Sequence, residues 1–284
     1  MYTYGLELEA VDFNRGDIIL PSGCEWSKTE VTLVNSNGIA VDSTGRTKNW
    51  IGGEINTPPT RSLNEQIIIA EKCLKSLKEA GAKVNYRCNT QGHIGGWADE
   101  DPRKRLEQLK LIQSYFYNNF DSFLMLTMGE GQFKKKKEYS RGFWSHYKER
   151  MVPSWRNKML MESDSLEEFR RCFCYSKVKE LIPMTFFRQG INVHSFFKTE
   201  SIEFRIFWGT LEIEYVKIIL EFCEATMDDA LGNQSSAGDI CLWFEDKFPR
   251  ELMYDDRLEK GFNSTKVKKP KKTKILLRTL NVPQ

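Results

Sequence analysis

The residues of this sequence with the clearest potential for chemistry are four glutamates on predicted strands. Glu7 and Glu9 alternate with leucines in YTYGLELEA, so both carboxylates point from the same face of a strand. Glu54 in WIGGEINTPPT and Glu203 in SIEFRIFW also stand between apolar residues. Carboxylates gathered on one sheet face repel each other, and a divalent cation such as magnesium removes this cost because it prefers hard oxygen ligands. The alternative is a solvated sheet face, and periodicity alone does not decide between the two.

Two basic side chains accompany these glutamates. Arg205 follows Glu203 by two residues, so it shares the strand face of that glutamate and could hold a phosphate through two donors. His93 lies in TQGHIGG, where the glycines allow a ligand to approach the backbone closely. A structural histidine is the alternative interpretation. The segment is not a P-loop, because no Gly-Lys-Ser/Thr follows it, and the sequence contains no HExxH metalloprotease motif.

Composition limits the class of protein. The 284 residues carry a formal net charge of +3, with 40% hydrophobic and 29% charged residues, which is an ordinary globular balance. The seven cysteines are odd in number and form no CxxC pair, which favours free thiols in a reducing compartment. No apolar run reaches the ~18 residues of a membrane span, and no signal peptide is evident. We therefore expect a cytoplasmic protein without a membrane segment.

Two lysine-rich segments support an alternative function. Lys134–Lys137 form one run, and Lys266–Lys274 lie in a basic tail. Such segments are typical of non-catalytic proteins that bind nucleic acid or an anionic surface, and also of solvated loops and tails. We expect a single catalytic domain over residues 1–262, with a mobile, mostly irregular basic insertion around 129–165 and a basic C-terminal tail over 263–284.

The order of the predicted elements indicates how the glutamates are positioned. Short strands and turns precede a helix that begins at Ser62 with a capping box and ends at Gly81. A strand running into a Gly-rich turn is predicted before a second helix that Asp101 caps. A hairpin formed by INVHSFF and SIEFRIFW then precedes a long helix over 211–231. This order is not a βαβ alternation, so it predicts an α+β fold with a largely antiparallel curved sheet and helices packed on one side.

Four of these segments resemble, in order, the motifs of the amidoligases. YGLELEA resembles their Gly-x-Glu-x-Glu, GGEINTPP their Gly-x-Glu-x-x-Ser/Thr-Pro, and NTQGHIGG their Gly-x-His-x-His. FFRQGINVHSFFKTESIEFRIFWGTL resembles their Arg-x-x-x-x-Asn stretch followed by Thr-x-Glu-Phe-Arg-x-x-x-Gly-Thr-Leu. The one departure is Gly95, where the family usually has a second histidine. The resemblance implies a glutamine synthetase-like catalytic core and an ATP-dependent carboxylate–amine ligase.

The resemblance also implies cofactors, substrates and roles. ATP with Mg²⁺ would convert a carboxylate, expected to be glutamate or a glutamyl group, to an acyl phosphate that an amine attacks. The amine would belong to a small molecule or to a macromolecule. The implied metal ligands are Glu7, Glu9, Glu54 and Glu203. Arg205 and Glu54 would be catalytic, with Arg205 on the transferred phosphate, and the nucleotide and substrate side would include His93, Arg188 and Asn192.

Overall fold

The computed structural model describes residues 1–27, 33–34, 40–41, 52–84, 88–128, 151–152, 154–174, 189–233, 237–245 and 247–248. Within these residues the chain forms two antiparallel sheets. The strands are β1 (Thr3–Val11), β2 (Glu25–Trp26), β3 (Leu33–Val34), β4 (Ala40–Val41), β5 (Gly52–Asn56), β6 (Asn89–Gly95), β7 (Ile191–Asn192) and β8 (Ser201–Trp208). The main sheet has six strands in the order β2-β5-β1-β6-β8-β7, while β3 and β4 pair separately.

Seven α-helices lie in the described part of the chain. They are α1 (Leu63–Glu79), α2 (Pro102–Met128), α3 (Ser154–Glu162), α4 (Leu166–Cys174), α5 (Phe196–Thr199), α6 (Ile213–Ala230) and α7 (Ala237–Glu245). None of these helices combines the length and the apolar character that crossing a membrane requires. The predicted fold class, an antiparallel sheet with helices packed on one side, is confirmed.

The alternation in β1 separates a helix-facing side of the sheet from a polar side. Leu6, Leu8 and Ala10 are buried in one core cluster together with Ala70 and Leu74 of α1. Farther across the sheet, the helix-facing side is covered by α2 and α6. Ring contacts join Phe204 of β8 to Phe116 of α2 and Phe207 of β8 to Phe222 of α6. Because side chains alternate along a strand, Glu7 and Glu9 lie on the opposite side of β1.

The predicted helix boundaries are confirmed, and local hydrogen bonds explain them. The Ser62 hydroxyl accepts a hydrogen bond from the Glu65 amide at 3.3 Å, as an N-cap does. The Asp101 carboxylate accepts one from the Arg103 amide at 2.8 Å at the start of α2. Gly81 and Gly232 have positive φ just beyond the ends of α1 and α6. These positions favour glycine because left-handed backbone is costly for other residues.

Two predictions for the β-structure are wrong. Gly92 and Gly95 of GHIGG lie within β6 and not in a turn, and only Gly96, which has positive φ, follows the strand. The strand continues because β6 packs closely against a helix: a Cβ on Gly92 would lie 2.9 Å from the Cys223 sulfur on α6. The predicted hairpin is also interrupted. β7 has only two residues, and a 3-10 turn and α5 follow it before β8. Tertiary packing overrides the strand-like pattern of SFF, because Phe196 is buried against Trp97.

The predicted insertion is only partly described. Residues 129–150, and the predicted tail over 263–284, lie outside the described part of the chain. The expectation of mostly irregular structure up to residue 165 is wrong for α3. This helix buries Leu160 and Arg156, and the Arg156 guanidinium donates a hydrogen bond to the Phe173 carbonyl at 2.9 Å. α3 is therefore packed against α4, which begins with the predicted Ser165 cap.

Candidate active site

The sheet register brings glutamates from distant parts of the sequence onto one polar face. Glu9 of β1 lies opposite Glu54 of β5, and His93 of β6 lies opposite Glu203 of β8. Glu7 is next to β6, where its register partner is Gln91. The β5-β1-β6-β8 order thus places all four predicted glutamates and His93 across four adjacent strands.

Three of these side chains form a group able to hold a metal ion. One ligand atom from each of Glu7, His93 and Glu203 lies within 4.8 Å of the others. The Nε2 atom of His93 is 3.2 Å from Oε1 of Glu7, and its Nδ1 atom is 3.2 Å from the Ser201 hydroxyl. Burial opposes protonation of His93, but the hydrogen bond and charge of Glu7, with the charge of Glu203, outweigh it and raise the pKa of His93. The ring is therefore held with Nε2 toward the carboxylates.

Glu203 is the buried member of the group, and two neighbouring side chains hold it in place. It forms an ion pair with Arg205, and the Asn192 amide nitrogen donates a hydrogen bond to its other oxygen at 2.6 Å. Burial acts to raise the pKa of Glu203, but Arg205, His93 and Asn192 outweigh burial and hold it below the ordinary value. Glu203 is therefore ionised and oriented before any ligand arrives.

Glu54 is in the opposite electrostatic situation. Its residue is only 7% exposed. Burial and, next, the charge of Glu7 raise the pKa of Glu54 to about 7, although a Ser27 hydrogen bond and the charge of Arg205 act against the rise. A carboxyl group that holds a proton near neutral pH, beside another carboxylate, gains a compensating charge when a cation displaces that proton.

Glu9 is held by amide groups. Its Oε2 atom accepts hydrogen bonds from the backbone and side-chain nitrogens of Asn89 at 2.7 and 2.8 Å, and its Oε1 atom accepts one from Gln91 at 3.2 Å. These contacts fix the carboxylate beside Glu54. Its role as a metal ligand stays a prediction.

The structure explains the glycine at position 95. A Cβ there would lie 2.6 Å from the Thr3 hydroxyl oxygen and 3.0 Å from the Glu200 carbonyl oxygen. Because the second of these atoms belongs to the backbone, a histidine at this position would require the chain to shift. The space that a second histidine would occupy is closed in this protein.

The Arg205 guanidinium keeps one donor without a partner in the described part of the chain. The charges of Glu203 and Glu7 overcome burial and raise the pKa of Arg205. Its Nε atom is buried, and no described residue accepts a hydrogen bond from it. Arg188, the other predicted arginine, lies outside the described residues, whereas Asn192 contacts Glu203 as described above.

The donor set fits the cofactors that the sequence implied. Oxygens of Glu7 and Glu203 and a nitrogen of His93 suit a divalent cation, and the raised pKa of Glu54 fits a carboxylate that is relieved by one. The buried Arg205 Nε suits an anion such as a phosphate. These residues would hold Mg²⁺ and the phosphates of ATP.

Two amide residues of this face, Asn89 and Gln91, were not predicted from the sequence. Asn89 and Gln91 precede His93 by four and two residues on β6, and both donate hydrogen bonds to Glu9. Strand periodicity could have found them, because residues two apart share a face. The predicted turn at this segment hid that signal.

Fold and site together define an α+β protein with an acidic, histidine-containing cluster, able to hold a cation, on the face of an antiparallel sheet opposite its helices. Residues 16–227 match the family described as "Putative amidoligase enzyme", so the chain belongs to the amidoligase family. The match includes Glu54, His93, Glu203 and Arg205.

The solved structures include a distant match. The crystal structure of a bifunctional glutathione synthetase from Pasteurella multocida is 12% identical, with a TM-score of 0.36. The match covers 89% of this chain and 41% of that chain, so this chain spans less than half the length of that protein. No curated protein matches the sequence.

Proposed function

We propose that the protein uses ATP and Mg²⁺ to join a carboxylate, glutamate or a glutamyl group, to an amine through an acyl phosphate. The observation that carries the proposal is the convergence of Glu7, His93 and Glu203, with their ligand atoms within 4.8 Å, in a member of the amidoligase family. A bound divalent cation would supply positive charge to the phosphoryl oxygens during transfer.

The acidic side chains would bind cations, and the basic side chain would bind phosphate. The acidic group of Glu7, His93, Glu203 and Glu54 would hold the cations, and Glu9 would complete the acidic face. Arg205 would donate to the transferred phosphoryl group through its buried Nε atom, which has no acceptor among the described residues. Because Glu203 already holds the guanidinium in place, little reorganisation accompanies the reaction, as expected of a preorganised electrostatic site. Asn192 would orient Glu203 and line the substrate side.

The direct experiment is a screen for phosphate release. Purified protein is incubated with ATP and Mg²⁺ and a panel of carboxylates, glutamate and glutamyl peptides first, each with and without amines. We expect release that requires the metal, a carboxylate and an amine together, with an amide product detected by mass spectrometry. Phosphate release at the same rate with and without the carboxylate and the amine would indicate an ATPase and contradict the proposal.

Substitution of the charged pair provides the second test. We expect Glu203→Gln and Arg205→Lys each to lower turnover by at least ~10²-fold, because each removes a preorganised contact while keeping side-chain volume close to the original. The matched control is the exposed pair of Arg171 and Glu167 on α4, 3.0 Å apart. Arg171→Lys and Glu167→Gln should retain turnover, because exposed ion pairs contribute little. Equal turnover in all four variants would remove this site from the mechanism.

A further inference from the structure

Gln91 occupies the centre of the acidic face. It lies on β6, directly opposite Glu7 of β1, and shares its strand face with His93 two residues later. The residue is 1% exposed. No part of the proposed mechanism uses this side chain.

A β-bulge brings Arg205 across from Gln91. The register between β6 and β8 pairs Thr90 with Phe207 and Gly92 with Phe204, so Arg205 and Ile206 together oppose the single residue Gln91. Bulges re-aim side chains and occur often beside active sites. Gln91 is thus flanked by Glu7 on one strand and by the bulged Arg205 on the other.

The orientation of the Gln91 amide is determined by its neighbour. Its Nε2 atom donates to Oε1 of Glu9 at 3.2 Å, and because a carboxylate can only accept there, the amide oxygen must be the other atom. That oxygen is buried, and no described residue donates a hydrogen bond to it. Asn192 repeats the arrangement: its nitrogen donates to Glu203 and its buried oxygen has no donor among the described residues.

An unpaired amide oxygen is informative here because of its surroundings. Gln113 on α2 also has a buried oxygen without a described donor, but its amide contacts Asn157 and not a carboxylate. Gln91 instead adds an acceptor to a face that already carries Glu7 and Glu9. Leaving such an acceptor buried and unpaired is costly, because its desolvation is not compensated by a hydrogen bond, and a cation would offset that cost. Neutral amide oxygens are ordinary ligands of hard cations.

We propose that the Gln91 amide oxygen is a further ligand of the cation held by Glu7, His93 and Glu203. This inference rests on the proposed function and specifies one of its contacts. Glu9 would then be a positioning residue, because its hydrogen bond to the Gln91 nitrogen fixes which end of the amide is left to face the cation.

The test measures binding of Mn²⁺ alone to the full chain, without ATP, by isothermal titration calorimetry. We expect Gln91→Met, which removes both polar atoms and keeps the volume similar, to weaken Mn²⁺ binding at least ~10-fold. The matched control is Gln113→Met, which removes an equally buried amide away from the sheet and should leave the Mn²⁺ affinity unchanged. Equal Mn²⁺ affinities in the two variants would overturn the inference.

A second variant separates a direct ligand from a residue that only positions Glu9. Gln91→Glu loses the donor to Glu9 but places a charged oxygen where the amide oxygen lies. A direct ligand predicts tighter Mn²⁺ binding than wild type and a larger Mn²⁺-dependent rise in Tm, and a positioning role predicts weaker binding. Weaker binding would overturn the inference, and this variant decides the matter even if Gln91→Met does not fold.

The failure of this inference is distinguishable from the failure of the proposed function. If wild type does not bind Mn²⁺ at all, the cation site itself is wrong, and both proposals are overturned. If wild type binds Mn²⁺, Glu203→Gln abolishes binding and Gln91→Met does not change it, only the role of Gln91 is overturned.

Discussion

The raised pKa of Glu54 links the stability of the folded protein to pH. It is buried beside Glu7, and the pKa of Glu54 is raised from 4.5 to about 7. The folded protein therefore binds this proton more tightly than the unfolded chain does. Its contribution to stability is fully present below pH 4.5 and is lost as the pH rises toward 7, because the ionised group must then be kept in a buried, negatively charged place.

This sign gives a prediction for Glu54→Gln. In EDTA, we expect the variant to be more stable than wild type by about 1–3 kcal/mol at pH 8 and to show a much smaller difference at pH 4.5, because the amide cannot ionise. With Mg²⁺ the difference in unfolding free energy between the variant and wild type should shrink or change sign, since the variant lacks a proposed metal ligand. Urea unfolding at the two pH values, with EDTA or with Mg²⁺, measures both effects.

The control for that experiment is Glu167→Gln, an exposed change on α4 that should leave unfolding free energies within about 0.5 kcal/mol at either pH. A Glu54→Gln protein that is less stable than wild type in EDTA at pH 8 would contradict the cost of ionising Glu54. A variant that keeps the full Mg²⁺-dependent increase in unfolding free energy would contradict the role of Glu54 as a ligand.

At the scale of elements, the acidic face depends on how closely β6 approaches α6. A Cβ on Gly92 would lie 2.9 Å from the sulfur of Cys223, which is fully buried on α6. Gly92 separates Gln91 from His93, so any displacement of β6 moves both site residues. The packing on the helix-facing side thereby sets the geometry of the polar side.

We expect Gly92→Ala to lower the unfolding free energy by about 1–3 kcal/mol through overpacking. Cys223→Ala shortens the opposing side chain, so the double variant should recover most of that loss. A double-mutant cycle of urea unfolding measures the coupling between the two sites. Additive losses, with no recovery in the double variant, would show that the two residues do not limit the approach of β6 to α6.

Element boundaries were predictable where the determining contacts are local. The Ser62 cap, the Asp101 cap and the glycines beyond α1 and α6 act within a few residues, so they are visible in the sequence. The segment from Ile191 to Glu200 was not predictable, because burial of Phe196 against Trp97 overrides its strand-like pattern. The helix α7 was not predicted from the sequence either.

At the scale of the whole molecule, the lysine-rich segments raise a function separate from the sheet. We predict that deleting residues 264–274 leaves Mg²⁺-dependent phosphate release unchanged but removes any salt-dependent shift of DNA or RNA in a gel. The reason is that such binding depends on clustered lysines and falls steeply with salt. An intact nucleic-acid shift after deletion would move the binding surface elsewhere, and lost phosphate release would connect the tail to catalysis.

The sequence by itself determined which residues share a face within each element. Strand periodicity placed Glu7 with Glu9 and Glu203 with Arg205, because side chains two apart on a strand point the same way. The family motifs added the expected chemistry. Both kinds of information are local, and each refers to a few consecutive residues.

Only the tertiary structure decided which of those faces meet. The order β5-β1-β6-β8 sets Glu54, Glu7, Gln91 and Glu203 side by side, although long stretches of chain separate them. It also gave these carboxylates different states: Arg205 and Asn192 keep Glu203 ionised, while burial and Glu7 favour the protonated form of Glu54. Periodicity cannot supply this information, because strand pairing and desolvation depend on groups that are distant in the sequence.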